Sequence, residues 1–197
     1  MKKILFIVGS LRKNSFNRQL AQMAERLIDG RAIVEYLDFQ DVPMIDQDAE
    51  FPVPASVAAV RDKVAAADGL WIFSPEYNHS YPGCLKNLID WLSRPVAPGD
   101  LKTPLAVNGK KVALSGAGGG GATVKCREKL VELLTLPFIR ADVMVRPQTG
   151  ISLGGEAWTT DRLVLSREQE DALKRQTEAF LDCIFSDSQN LCVSEKS

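Results

Sequence analysis

The chain has 197 residues, 45% of them hydrophobic and 25% charged, which suits one sizeable α/β domain with a full core. Its 24 Lys and Arg balance 25 Asp and Glu, so no basic excess argues for nucleic acid as a partner and no acidic block for a solvating tail. Met1-Lys2-Lys3 looks like the start of a signal peptide, but the apolar run behind it stops at Val8. That is too short for a secretory core or a membrane span, and a cytoplasmic protein without a membrane partner is expected.

Residues 4–8, Ile-Leu-Phe-Ile-Val, read as a strand buried on both faces. Behind them, Phe16, Leu20, Met23, Ala24, Leu27 and Ile28 fall at helical spacing. A turn rich in hydroxyl and amide side chains joins the two at a helix N-terminus, where free N–H groups and the positive end of the dipole favour an anion. Ser10, Ser15 and Asn17 add neutral donors and Arg12 a forked cation, so the turn reads as a phosphate site. A plain capped helix uses the same residue types.

A second strand is expected over 32–37, an irregular proline-rich loop over 41–54, and a short helix capped by Ser56 with Val57, Val60 and Val64 on one side. A third strand spans 69–74, and a loop follows over 75–82. The next helix carries Leu85, Leu88, Ile89 and Leu92 on one stripe. Trp91 falls off that stripe and is expected to be partly exposed, as an anchor between two copies of the chain. A second irregular stretch covers 95–104. A fourth strand covers 112–115, a glycine-rich turn 116–121, a helix 124–134 and a fifth strand 138–145. A polar loop is expected over 146–165. Ser166 and Gln169 make a capping box for a last helix running to about Ile184. The domain is expected over 1–186, with a frayed polar tail over 187–197.

Strands alternating with helices indicate a doubly wound parallel sheet, whose ligands sit beyond the strand C-termini. Three loops of unusual chemistry leave such termini, at 9–17, 75–82 and 115–121. In the second, Pro75, Pro82 and Gly83 fix the backbone, Tyr77 offers an aromatic wall, and Asn78 is both donor and acceptor. Glu76 is expected to accept a backbone bond. The third satisfies G-x-G-x-x-G, with Asp142 near the spacing of a ribose-binding acid. A dinucleotide fingerprint belongs on the first strand, however, and here the glycines follow the fourth. Such a run also gives close backbone approach to a flat ring. Four cysteines, Cys84, Cys126, Cys183 and Cys192, form no C-x-x-C pair and read as free thiols, with no metal site. His79 is the sole histidine.

The motifs Gly9-Ser10-Leu11-Arg12-Lys13-x-Ser15-x-Asn17 and Pro75-Glu76-Tyr77-Asn78-x-Ser80-x-Pro82-Gly83-x-Leu85-Lys86-Asn87-x-Ile89-Asp90-Trp91 resemble the NADPH-dependent FMN reductase family. Within it, the bacterial chromate and quinone reductases are the nearest likeness, from Met1 to about Val145. The resemblance implies a flavodoxin-like three-layer sandwich with a five-stranded parallel sheet of order 2-1-3-4-5. It also implies non-covalent FMN and a homodimer, often a dimer of dimers. By matching motifs, Ser10, Arg12, Ser15, Phe16 and Asn17 surround the FMN phosphate, and Pro75, Glu76, Tyr77 and Asn78 line the ring and ribityl chain. Ser115, Gly116, Gly118 and Gly119 close the other side. Residues 146–197 carry no recognised motif.

The activity so implied is ping-pong hydride transfer from NAD(P)H through FMN to a small-molecule acceptor such as a quinone or chromate, with no catalytic side chain named. Alternatives of another class are a flavodoxin-type electron carrier and an FMN-based redox sensor. Either should oxidise NAD(P)H very slowly.

Overall fold

The structure is a computed structural model and describes residues 1–186; the expected tail at 187–197 lies outside the described residues. Its strands are β1 Lys3–Val8, β2 Ile33–Tyr36, β3 Gly69–Phe73, β4 Lys111–Gly118, β5 Asp142–Val143 and β6 Thr149–Ser152. Its α-helices are α1 Phe16–Ile28, α2 Ala55–Ala66, α3 Gly83–Leu92, α4 Val124–Leu134, α5 Gly155–Thr160 and α6 Arg167–Phe185. All strand pairings are parallel, in the order β2-β1-β3-β4-β5, with β6 also on β4.

Side chains alternate across this sheet into two cores. Leu5, Ile7, Leu70, Ile72, Val112 and Leu114 meet the apolar faces of α2, α3 and α4. Ile4, Phe6, Val8, Trp71, Phe73 and Ala113 meet those of α1 and α6. The uninterrupted apolar runs of β1 and β3 are therefore buried on both faces, as a doubly wound sheet requires. One polar chain crosses the second core. Trp71 Nε1 donates to Ser115 Oγ at 2.9 Å, Ser115 Oγ to Gln176 Oε1 at 2.7 Å, and Gln176 Nε2 to the Leu114 carbonyl at 2.9 Å. Each group is satisfied, so the chain locks α6 onto β3 and β4 without an orphaned polar atom.

Several sequence expectations are corrected. The glycine-rich turn begins three residues late, because β4 runs through Gly118, with Gly116 and Gly118 pairing with β6. The fifth strand is not continuous over 138–145. The first half of β4 pairs with the two-residue β5 and its C-terminal half with β6, so two short strands share one sheet edge. The polar loop at 146–165 contains β6 and α5. Ser56 lies inside α2, whose N-cap is Pro54, with no side-chain cap. Cys84 and Cys126 are free thiols, whereas Cys183 is disulfide-bonded.

Trp91 is also corrected, being only 1% exposed. The irregular segment 41–54 covers the face of α3 that turns away from the sheet. Trp91 Nε1 and Asn87 Nδ2 both donate to the Pro43 carbonyl at 2.8 Å, and Asn87 Oδ1 accepts from the Ile45 amide at 2.9 Å. Arg94 makes a bidentate pair with the buried Glu50, at 2.8 and 2.7 Å, which pulls the Glu50 pKa down and closes the same cover. Trp91 therefore holds the loop, not a second copy of the chain.

Candidate functional site

The segment leaving β1 stays tied to the sheet by the Gly9 amide, which donates to the Phe73 carbonyl at 2.8 Å. It then turns into α1 with Ser15 at the N-cap, where Ser15 Oγ accepts from the Arg18 amide at 3.1 Å. The Ser15 hydroxyl proton remains for a ligand, and the Ser10 hydroxyl has no hydrogen-bond partner among the described residues. Asn17 is 2% exposed and engages the Ala117 peptide from both sides: Nδ2 donates to its carbonyl at 3.0 Å and Oδ1 accepts from its amide at 2.9 Å. Its main work is thus to pin α1 to the end of β4.

The loop after β3 folds on itself. Tyr77 and Ser80 exchange backbone bonds of 2.9 and 3.0 Å around Asn78 and His79, both left-handed at φ 52° and 58°. Two positive φ values in succession mark the tightest two-residue turn, which Asn and His tolerate better than most residues. Asn78 serves the turn itself. Glu76 Oε2 accepts from the Cys126 amide at 3.0 Å, in the first turn of α4, where Thr123 provides no side-chain cap. The expected backbone bond of Glu76 is therefore a bond from the second loop to α4, with the carboxylate at the positive end of that helix. Beneath it, Cys126 Sγ donates to Ser74 Oγ at 3.3 Å, and burial pushes the Cys126 thiol up to about 11.

The glycine run shows why glycine is needed there. None of Gly116 to Gly121 has positive φ; the left-handed residues are Ala122 and Thr123, at 45° and 59°. Thr123 instead lies flat on β4. A Cβ at Gly116 would come within 2.3 Å of both the Ser74 carbonyl oxygen and Thr123 Oγ1, and one at Gly118 within 2.9 Å of Thr123 Cγ2. Gly119 faces open space. Asp142 pairs with Lys111 at 2.7 Å, level with the start of β4, so it stands at the opposite end of the sheet from the glycines. A ribose-binding role beside them is excluded.

The three loops meet around one cavity of about 380 Å³. Ser10, Arg12, Ser15, Phe16 and Asn17 line it from the first loop, Pro75, Glu76 and Tyr77 from the second, and Gly118 and Gly119 from the third. Three expected residues lie outside its lining: Asn78 at the turn tip, Ser115 held by Trp71 and Gln176, and Gly116 packed under Thr123. Four others were not foreseen: Ala117 in β4, and Leu153, Trp158 and Asp161, which form a further wall. The only sequence signal of that wall was a Trp in an otherwise polar segment. Larger hollows of about 660 and 950 Å³ occur elsewhere, but neither takes a lining residue from these loops.

Several known proteins resemble this chain in sequence and fold. The 2-hydroxy-1,4-benzoquinone reductase of a Burkholderia species is 44% identical over 93 residues, which is 47% of this chain and 51% of that one; the chain thus matches about half the length of that relative. The quinone reductase of Escherichia coli K12 is 38% identical over 150 residues, 74% of this chain and 75% of its own. Among solved structures, the flavoenzyme NAD(P)H:(acceptor) oxidoreductase FerB of Paracoccus denitrificans superposes with a TM-score of 0.79 at 31% identity, covering 93% of this chain and 97% of that one. Residues 2–155 match the family described as NADPH-dependent FMN reductase, and with these likenesses in fold and sequence the chain belongs to that family.

Proposed function

We propose that the chain binds FMN in the cavity at the C-terminal ends of β1, β3 and β4 and works as an NAD(P)H-dependent oxidoreductase, with quinones as acceptors and chromate as a further one. The carrying observation is the convergence of the three loops on that cavity. Its donor set suits a phosphate at one end. There Ser10 and Ser15 offer hydroxyl protons, Arg12 a guanidinium and α1 its first-turn amides. Its other end suits a flat ring, since Pro75 is rigid and Gly118 and Gly119 present backbone without side-chain bulk. At about 380 Å³ it falls within the ~300–1,000 Å³ typical of small-molecule pockets.

When bound, FMN supplies a two-electron centre that takes hydride from NAD(P)H and passes it to an acceptor using the same cleft in turn. The protein's own work is holding and orienting. Asn17 fixes α1 against β4, and Glu76 fixes the second loop against α4, so both ends of the site rest on the sheet. Glu76 Oε2 is committed to the Cys126 amide, and its Oε1 lies 3.4 Å from Nδ1 of the exposed His79; Tyr77, 55% exposed, stands at the open rim.

The same reading includes a cytoplasmic homodimer, which in this family is often paired again into a dimer of dimers, with Trp91 removed as its anchor. No helix among the described residues is long and apolar enough to cross a membrane. The test is purification followed by turnover with both nicotinamides against quinones, chromate and free flavin. The protein should be yellow, with about one FMN per chain. Colourless protein that takes up no added FMN overturns the reading, and bound FMN with very slow NAD(P)H oxidation would favour an electron carrier.

A further inference from the structure

The fourth wall of the cavity comes from residues far along the chain, yet it is stitched to the first loop. Arg12 Nη1 donates to Asp161 Oδ1 at 2.5 Å, and Asn14 Nδ2 donates to Asp161 Oδ2 at 2.7 Å and to its carbonyl at 3.0 Å. Gln19 Nε2 donates to the same carbonyl at 3.1 Å, and Gln19 Oε1 accepts from the Leu163 amide at 2.8 Å. Asp161 ends α5 in the left-handed conformation, φ 55°, a geometry that Asp tolerates. Carbonyl and carboxylate are thereby both turned to the α1 loop.

This contact does little for folding, because Arg12 and Asp161 side chains are 49% and 46% exposed and such pairs are screened. What it does is fix a cation. The Arg12 guanidinium is held by Asp161 on one side and lies over the Phe16 ring, 5.1 Å from its centroid; Trp158 meets Phe16 edge-on at 5.3 Å. Its remaining N–H groups have no hydrogen-bond partner among the described residues, and Arg12 lines the cavity. The fixed guanidinium is matched to one terminal phosphate. Asp161, Leu153 and Trp158 line the same end of the cavity wall as Arg12, so a ligand extended beyond a phosphate on that guanidinium would be brought against them.

We propose that Asp161 is a positioning and specificity residue: it holds Arg12 for a flavin monophosphate and closes the phosphate end against a flavin extended by a pyrophosphate, such as FAD. This rests on the reading that the flavin phosphate lies at the α1 N-terminus. The test is calorimetric titration of FMN-free protein with FMN, riboflavin and FAD, for the parent, Asp161→Ala, Arg12→Ala and the double variant. Asp161→Ala should lower the preference for FMN over FAD at least tenfold and leave riboflavin affinity unchanged. Arg12→Ala should cut the FMN-to-riboflavin affinity ratio at least tenfold in the parent but less than threefold in the Asp161→Ala background, since the cation is no longer held there. Asp161→Asn keeps the shape without the charge; if Asp161→Ala does not fold, a threefold or greater fall in the FMN preference of Asp161→Asn gives the same support. An unchanged FMN-to-FAD preference in the folded variant, or an Arg12→Ala effect of the same size in both backgrounds, overturns the proposal. The underlying reading fails separately, if neither Arg12→Ala nor Ser15→Ala alters the FMN-to-riboflavin ratio of the parent.

Discussion

Gly118 and Thr123 offer a test of what the glycine run is for. A Cβ added at Gly118 would stand 2.9 Å from Thr123 Cγ2, where ordinary contact is 3.4–4 Å. Thr123 has little room to retreat, being 1% exposed and held at φ 59°. Overpacking of this kind costs about 1–3 kcal/mol. Thr123→Ser removes the offending methyl, losing about 0.8 kcal/mol of burial, and relieves a β-branched residue of a backbone conformation it disfavours. Gly118→Ala should therefore cost less than half as much in the Thr123→Ser background as alone, a coupling of about 1 kcal/mol between touching residues. The assay is urea unfolding of FMN-free protein, compared by midpoint at a common slope, so that ligand linkage does not enter. Gly116→Ala is the internal contrast: its Cβ also strikes the Ser74 carbonyl at 2.3 Å, which Thr123→Ser cannot relieve. Gly119→Ala meets open space and should leave stability unchanged or raise it by about 0.4–1 kcal/mol. Equal cost of Gly118→Ala in both backgrounds would refute the packing argument.

Ser15→Ala should cost about 1 kcal/mol of FMN-free stability through its cap and weaken FMN by about 1–3 kcal/mol, with riboflavin titration unmoved; an equal loss for riboflavin contradicts the phosphate assignment. Trp91→Phe should leave the sedimentation coefficient unchanged at micromolar concentration while lowering stability by about 1 kcal/mol for the bond to Pro43; a shift to monomer would return Trp91 to an interface. Arg94 holds the Glu50 pKa below its ordinary value, so this pair's contribution is full above the unfolded value of about 4.3 and fades as pH falls through the folded one. Glu50→Gln should accordingly flatten the acid limb of a stability–pH curve, and an unaltered limb rejects the assignment. With its thiol pushed up to about 11 and fully buried, Cys126 should resist alkylation in native protein at pH 8, read by intact mass.

Much of the sheet was legible because burial on both faces leaves a plain mark: 4–8 and 69–73 are unbroken apolar runs, and Ser166 with Gln169 announces α6 through a reciprocal cap. The edge was not legible. β5 has two residues, β6 four and α5 six, too few for any period to repeat. Glycine misled in the same place. A glycine run reads as a turn from conformational freedom alone, yet Gly116 and Gly118 are in β4 because Thr123 needs the space a side chain would fill.

Trp91 and Asn17 show why the site was only partly legible. Helical periodicity assigns one face of α3 to the sheet and treats what lies opposite as free, but segment 41–54 covers it with the Pro43 carbonyl and the Ile45 amide, and an irregular loop carries no pattern to announce that. Motif positions, for their part, mix two kinds of work. Arg12 lines the cavity with donors to spare, whereas Asn17 lines it while spending its amide on Ala117 and Glu76 while spending one carboxylate oxygen on Cys126, and Ser115 spends its own hydroxyl wholly on Trp71 and Gln176. Both kinds are indispensable to a preorganised site, since donors hold a ligand well only when the loops carrying them are fixed. A motif therefore marks the neighbourhood of the chemistry, and only the hydrogen-bond partners separate the residues that would hold the flavin from those that hold its holders.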